Sequence, residues 1–356
     1  MEKQEIRKRF LETFNVRDMK EINDYNVIMN NSKSIRNYKI SKDRIYNWKK
    51  RGTKPLSIQV IQEAERRNYF RNYKIKELEW LSYLIGYNLG DGNISRALDK
   101  TWFYGVNTDL EKMIKHLVKF EVKPKIYTYK INNGKMVVSC RVFTRLFKCF
   151  GAIEGDKSTR NYNVPEWIYN GKRRSKIKKR FLQGMFDAEL SNPKLMKKKR
   201  FSFQTMSFYM CKEINYIESG KNYLNQLKSL LYEFNITSTD VKKEREYIRK
   251  RDNTRHIQLY FIIHTNYINL SNFVKNIGFL YTSKRIINKK TTKEIHKLAE
   301  LNKLKELKYK EAIELRKKGL SAYKIAKELN FSKDLIKSWI YKNRKPNHLS
   351  KKSNSS

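Results

Sequence analysis

The sequence predicts an α+β protein: two αββαββα units in tandem, related by a pseudo-two-fold, with all-α helix-turn-helix modules at both ends. Three observations predict it. The stretch LIGYNLGDG (residues 84–92) is matched by LQGMFDAEL (residues 182–190), which begins 98 residues later (182 − 84). The segments after the two copies correspond in order and type. Near the two ends, ISKDRIYNWKKRGTKP (residues 40–55) aligns without a gap on FSKDLIKSWIYKNRKP (residues 331–346). Internal repeats of this kind define architecture before any local detail does.

Composition narrows the function. Seventy-nine Lys and Arg against 35 Asp and Glu give a formal net charge of +44 on 356 residues. Lys-rich coding inflates that excess but leaves the shortage of acids unexplained, and a polyanionic partner is the natural reading. Hydrophobic residues at 39% and aromatics at 13% are enough for packed cores, so this is not a disordered polyelectrolyte. The three cysteines form no C-x-x-C pair, and the five histidines have no zinc-binding spacing. The chain starts without an apolar signal core, and its longest apolar run (residues 259–263) is too short to span a bilayer. The expectation is a cytoplasmic, nucleoid-associated monomer with no membrane partner.

In chain order, Ser41 and Ser332 are good N-caps, each followed two residues later by Asp in the first turn. Ile45 with Trp48, and Ile336 with Trp339, share a helix face. SAYKIAKELN (residues 321–330) reads as a helix before the second copy, and residues 32–38 as a less clear one before the first. Helix, tight turn and basic helix form the helix-turn-helix pattern. After LIGYNLGDG come a strand-like TWFYGVN, a helical LEKMIKHLVKF, and strands at residues 125–131 and 136–143 around Asn132-Asn133-Gly134, a hairpin signal. After LQGMFDAEL come FSFQTMS, a helical KNYLNQLKSLLYEF, a strand-like TSTDVKKEREYI, and a strand over residues 255–264. Each half closes with a Gly and, six residues on, a Lys: Gly151 to Lys157 and Gly278 to Lys284.

The nonapeptides carry the chemistry. Gly86 with Gly90, and Gly184 with Ala188, lie four apart and stack on one helix face. Two such helices pack with their backbones nearly touching, which offsets the roughly 1 kcal/mol that each helical glycine costs. The next residues, Asp91 and Glu189, then meet at one end of the helix pair. Two carboxylates at helix C-termini repel each other and the dipoles, so either one is protonated or divalent cations neutralise both. Oxygen-only ligation favours Mg²⁺, and beside a very basic surface the chemistry is phosphodiester hydrolysis.

On these residues the chain resembles the LAGLIDADG homing endonucleases in their single-chain, two-motif form. VPEWI (residues 164–168) and IGFLYTSK (residues 277–284) look like phrases recurring at the end of each half. The resemblance covers about residues 77–290. With the terminal repeats, the expected domains are 1–75 (helical, helix-turn-helix), 76–171 and 172–295 (the two halves), 296–350 (helix-turn-helix), and a disordered tail at 351–356. The resemblance implies two saddle-shaped sheets lying in the major groove of double-stranded DNA, with both strands cut across the minor groove to leave short 3′ overhangs. Asp91 and Glu189 become the metal-binding acids, Lys157 and Lys284 the basic catalytic residues, and Asn107 and Gln204 loosely the water-positioning ones. One departure stands out: Leu190 replaces the Gly expected after the second acid, where a left-handed helix end would favour glycine.

Specificity is expected from strand side chains such as Lys125, Lys130, Arg141, Arg255 and Gln258, and from Lys333, Lys337 and Asn343 in the C-terminal module. Two other functions fit the same features: a DNA-binding transcription regulator that does not cleave, and an intron RNA maturase. Retention of both acids argues against the regulator, and Leu190 argues for it.

Overall fold

A computed structural model describes residues 2–30, 40–191, 195–196, 202–203, 205–281 and 289–346. The fold is α+β. Helix α1 (Lys3–Leu11), α2 (Val16–Asn30), α3 (Lys42–Lys49) and α4 (Leu56–Arg66) precede the first unit. That unit runs α5 (Ile75–Asp91), β1 (Gly92–Ile94), β2 (Thr101–Val106), α6 (Asn107–Leu117), β3 (Lys125–Lys130), β4 (Asn133–Val138) and α7 (Arg141–Cys149). After the short α8 (Glu166–Tyr169), the second unit runs α9 (Lys176–Glu189), β5 (Leu195–Met196), β6 (Ser202–Phe203), β7 (Met206–Glu213), α10 (Ile217–Glu233), β8 (Lys242–Arg249), β9 (Thr254–Ile263) and α11 (Tyr267–Asn276).

Among the described residues, two larger antiparallel sheets result, with strand orders β1-β2-β4-β3 and β7-β9-β8, beside a two-stranded β5-β6 ladder. In the second, Ser191 takes the place that β1 has in the first: its N–H donates to the Ser207 carbonyl, and its Oγ accepts from the Ser207 N–H. Each sheet buries one face. Phe103, Met136 and Val138 in the first, with Phe208, Leu259 and Phe261 in the second, lie under the helices. The opposite face stays open, as alternation along a half-buried strand requires.

One expected strand is shorter than the sequence implied. The ladder ends at Val138, and residues 141–149 are helical. Val142, Phe143, Leu146, Phe147 and Phe150 are all buried, a helical period hidden behind the alternation of VVSCRVF. Arg141 therefore opens α7 and lies on no strand.

The N-terminal helices share the main core; Phe10 meets Phe70 edge-on at 5.1 Å, and the Arg145 guanidinium of α7 covers Phe14 at 4.0 Å. The terminal repeat is visible in detail. Trp48 and Trp339 are both buried, as are Pro55 and Pro346. Gly52 and Asn343 both take positive φ. Thr53 N–H donates to Asn47 O, and Arg344 N–H to Ser338 O, the same closure 291 positions apart (344 − 53). The helix expected over residues 32–38 and the tail at 351–356 lie outside the described residues.

At the other end, α12 (Lys289–Lys317), α13 (Ala322–Leu329) and α14 (Lys333–Ile340) build a second core from Ala312, Ile325, Leu329, Ile336 and Trp339. Ser321 and Ser332 cap α13 and α14, and Asn330 turns between them at φ 53°. Removing a buried Trp from so small a core costs about 3–5 kcal/mol. Trp339→Ala is expected to abolish amide-exchange protection across α13 and α14 while leaving α5 and α9 protected, as read by hydrogen exchange with mass spectrometry.

Candidate active site

The site forms where α5 and α9 end. A Cβ built on Gly86 would lie 2.3 Å from the Phe181 carbonyl oxygen, and one on Gly184 would lie 2.1 Å from that of Tyr83. Each helix thus presents a glycine to the other's backbone. The seam continues at Gly90, where a Cβ would meet the Ala188 Cβ at 2.6 Å and the Glu189 Cγ at 3.0 Å. Ser82 Oγ bridges the pair by donating to Ile177 O across the interface. This packing brings Asp91 and Glu189, the last residues of the two helices, to the same end.

Lys157 stands at the end of α5. Its Nζ donates to the carbonyls of Asn88 (3.0 Å), Leu89 (2.8 Å) and Gly90, the last turn of α5. A cation there satisfies carbonyls that lack helical partners and opposes the negative end of the dipole. The ammonium also feels Glu189 and Asp91. Lys157 opens a short 3-10 turn (Lys157–Thr159) capped by Asp156, whose carboxylate accepts from the Ser158 N–H.

Burial lowers the Lys157 pKa to about 8, against the pull of Glu189, Asp91 and Asp156. An unfolded lysine titrates near 10.4, so between pH 8 and 10.4 the unfolded chain binds the extra proton. The cost of the buried charge is therefore present below pH 8 and relieved as pH rises through that window. Folding stability is expected to gain up to about 1.4 kcal/mol per pH unit there from this residue. Lys157→Met removes the gain, as denaturant midpoints at pH 7.5, 8.5 and 9.5 would show.

A cleft of about 780 Å³ opens beside these groups, lined by Gly90, Asn93, Lys157, Tyr162, Glu189 and Tyr209 among others. Among the described residues, no three His, Cys, Asp or Glu side chains cluster as a metal site. The donor set is two carboxylates, which suits an ion that keeps water ligands and takes phosphate oxygens.

Leu190 needs reinterpretation. Gly92 leaves α5 at φ −139°, in extended geometry, and Leu190 leaves α9 at φ −71°, ψ 131°. Neither end is left-handed, so the glycine preference does not arise from backbone conformation. Gly92 is small because Asn88 covers it: a Cβ would lie 2.4 Å from Asn88 Nδ2, which donates to Trp102 O. In the second half Phe186 and Leu190 hold the matching positions, both fully buried. One half has a polar pair and the other an apolar pair, and both helices run straight on.

Other expected site residues are dispersed. Asn107 begins α6 and donates to Thr128 Oγ1 at 3.0 Å, tied to the β3–β4 hairpin. Tyr209 lines the cleft together with Glu189. Gln204, like Lys284, lies outside the described residues. Lys125 is exposed in the row Trp102–Val137–Lys125, and Gln258 accepts from Arg245 Nε at 2.8 Å in the row Cys211–Gln258–Arg245. Lys130 ends β3, its side chain outside the description. Arg255, near the start of β9, is exposed and pairs with Glu246. Lys333 and Lys337 are exposed on α14, whereas Asn343 makes the positive-φ turn that follows it.

Two groups escaped the sequence reading. Asp187 accepts from Tyr83 Oη (2.8 Å) and from the Leu280 N–H, joining α5, α9 and the closing segment of the second half. Lys212 is fully buried beneath the Lys157 turn. Its signal was a lysine on the core-facing parity of Met206 and Phe208 in β7.

No family model matches the chain. Among curated proteins it is similar to DNA-directed RNA polymerase subunit Rpo1N of Methanocaldococcus jannaschii (24% identity over 253 residues, 64% of this chain and 18% of that protein). It is also similar to the tRNA-splicing ligase RtcB of Pyrococcus furiosus (25% over 245 residues, 64% and 24%). The chain thus spans under a quarter of the length of these relatives. Among solved structures, I-DmoI in complex with DNA and Mn overlaps 58% of this chain and 99% of its own, at 14% identity and a TM-score of 0.35. Full-length DUF199/WhiA from Thermatoga maritima overlaps 76% and 92%, at 17% identity and a TM-score of 0.36. No helix among the described residues is long and apolar enough to cross a membrane.

Proposed function

We propose that this chain is a site-specific, divalent-metal-dependent DNA endonuclease of the LAGLIDADG kind, cutting both strands of its target. One observation carries the reading: two carboxylates, Asp91 and Glu189, at the ends of helices packed backbone against backbone, where fold stability alone disfavours them. A divalent ion held by these acids, best Mg²⁺, supplies activated water and offsets charge on the phosphate. The chain's own residues do the rest. The α5–α9 seam fixes the spacing of the acids, and Lys157 holds the end of α5 and places positive charge beside both. The open sheet faces and the +44 charge bind the duplex. Partial likeness to proteins of unrelated activity fits a module used in different settings. The like geometry at Gly92 and Leu190 removes the argument that favoured a non-cleaving regulator.

Cleavage-site selection on a randomised duplex library with Mg²⁺ tests the reading. Specific cutting supports it; tight, specific binding without cutting makes the chain a regulator, and preference for a structured intron RNA makes it a maturase.

A further inference from the structure

We propose that Lys212 is a positioning residue: from the second half of the molecule it holds the backbone that carries Lys157 in the first. The inference rests on the nuclease reading for its effect on cleavage, though not for the contact itself. Lys212 lies in β7 with no exposed surface. Its Nζ donates to the carbonyls of Lys157 (2.8 Å) and Arg160 (2.6 Å), which bracket the 3-10 turn. The ammonium also faces the Tyr162 ring at 4.1 Å.

The surroundings are shaped for this side chain. A Cβ on Gly220 of α10 would lie 2.8 Å from Lys212 Cγ, so glycine leaves room for the stem. Among the described residues no carboxylate forms an ion pair with Lys212, although the Asp156 charge favours the ammonium; burying it is expensive, and a methionine would fill the same space without that cost. What the lysine adds is two donors aimed at one turn. The same turn is held on its other side by Asp156, which takes Arg249 at 2.6 Å and Arg251 at 2.7 Å, both from the second half. Lys157 reaches the end of α5 only while this turn stays in place, and a shift of about 1 Å at a reacting centre is enough to cost on the order of 100-fold in rate.

The test uses the full-length chain with Lys212→Met, which keeps volume and loses donors, and Lys212→Arg, which keeps donors. The first readout needs neither metal nor DNA: acylation of the Lys157 amine at pH 8, followed by peptide mass spectrometry. Lys157 should react about tenfold faster in Lys212→Met than in the wild type, with Lys212→Arg between them. The second is single-turnover cleavage of a selected duplex. Lys212→Met should slow one strand by about 10- to 100-fold, so that nicked product accumulates, with DNA affinity unchanged within about twofold. If the Met variant does not fold, Lys212→Gln, too short to reach both carbonyls, gives the same readouts. Unchanged labelling would overturn the proposal, as would equal slowing of both strands with a matching loss of melting temperature. A wild type that cuts no duplex overturns the nuclease reading instead, and the labelling result still decides the role of Lys212.

Discussion

Replacing Asp91 with Asn and Glu189 with Gln together should abolish Mg²⁺-dependent cleavage, by about 1,000-fold or more, while leaving specific DNA binding intact. The separation follows from where the groups stand. Both acids sit at helix C-termini at the end of a backbone-packed seam, whereas Lys125 and Gln258 lie on strands. On the proposed nuclease reading, removing their charge would take away the ligands of the cation and the electrostatic anchor beside the reacting phosphate, effects each worth several kcal/mol. It does not touch the basic surface that supplies non-specific affinity. The amides keep the size of the carboxylates, but folding stability is expected to fall, because the buried Lys157 ammonium loses the two charges that favour it. Gel-shift affinity, single-turnover cleavage and Mn²⁺ binding followed by electron paramagnetic resonance separate the three effects. Cleavage by the double variant at the wild-type rate would remove the acids from the mechanism, and with them the reading of the motif pair.

How much of this was legible depended on whether a residue's role is set along the chain or across it. The motif pair was legible because a glycine seam leaves a mark in sequence: Gly86 and Gly184 are small where the opposing backbone demands it, and Gly90 where the Ala188 and Glu189 side chains do. The terminal repeat was legible to the point that Gly52 and Asn343 occupy equivalent positive-φ turns. Roles fixed by strand register were not. Tyr209 lines the cleft with Glu189 through the pairing of β7 with Ser191, which no spacing rule supplies. Arg141 was misplaced because VVSCRVF alternates like a strand, although its apolar residues continue with a helical period into Phe147 and Phe150. Gly92 misled in another way: glycine at a helix end reads as a left-handed cap, whereas here it makes room for Asn88. Lys212 was one lysine among many until its burial was known.

A large stability effect is expected at Gly184, and its sign is informative. In an isolated helix, Gly→Ala stabilises by about 1 kcal/mol, because alanine has less backbone entropy to lose. In the protein the new methyl would lie 2.1 Å from the Tyr83 carbonyl oxygen and 2.8 Å from the Tyr87 N. Those are backbone atoms of α5 and cannot swing aside as a side-chain tip could. The helices must separate, which loosens the contacts of Gly86 with Phe181 and of Gly90 with Ala188 along the same seam. Overpacking of this kind costs 1–3 kcal/mol in ordinary cores and occasionally more, so it outweighs the propensity gain. Gly184→Ala is therefore expected to lower stability by about 3 kcal/mol, or roughly 6–12 °C in Tm. A synthetic peptide spanning residues 175–190 should become more helical with the same change. Because the seam also sets the distance between Asp91 and Glu189, cleavage should fall more steeply than stability at temperatures where the variant remains folded. A Gly184→Ala protein as stable as the wild type would mean that α5 and α9 do not pack backbone to backbone, and the placement of the two acids would go with it.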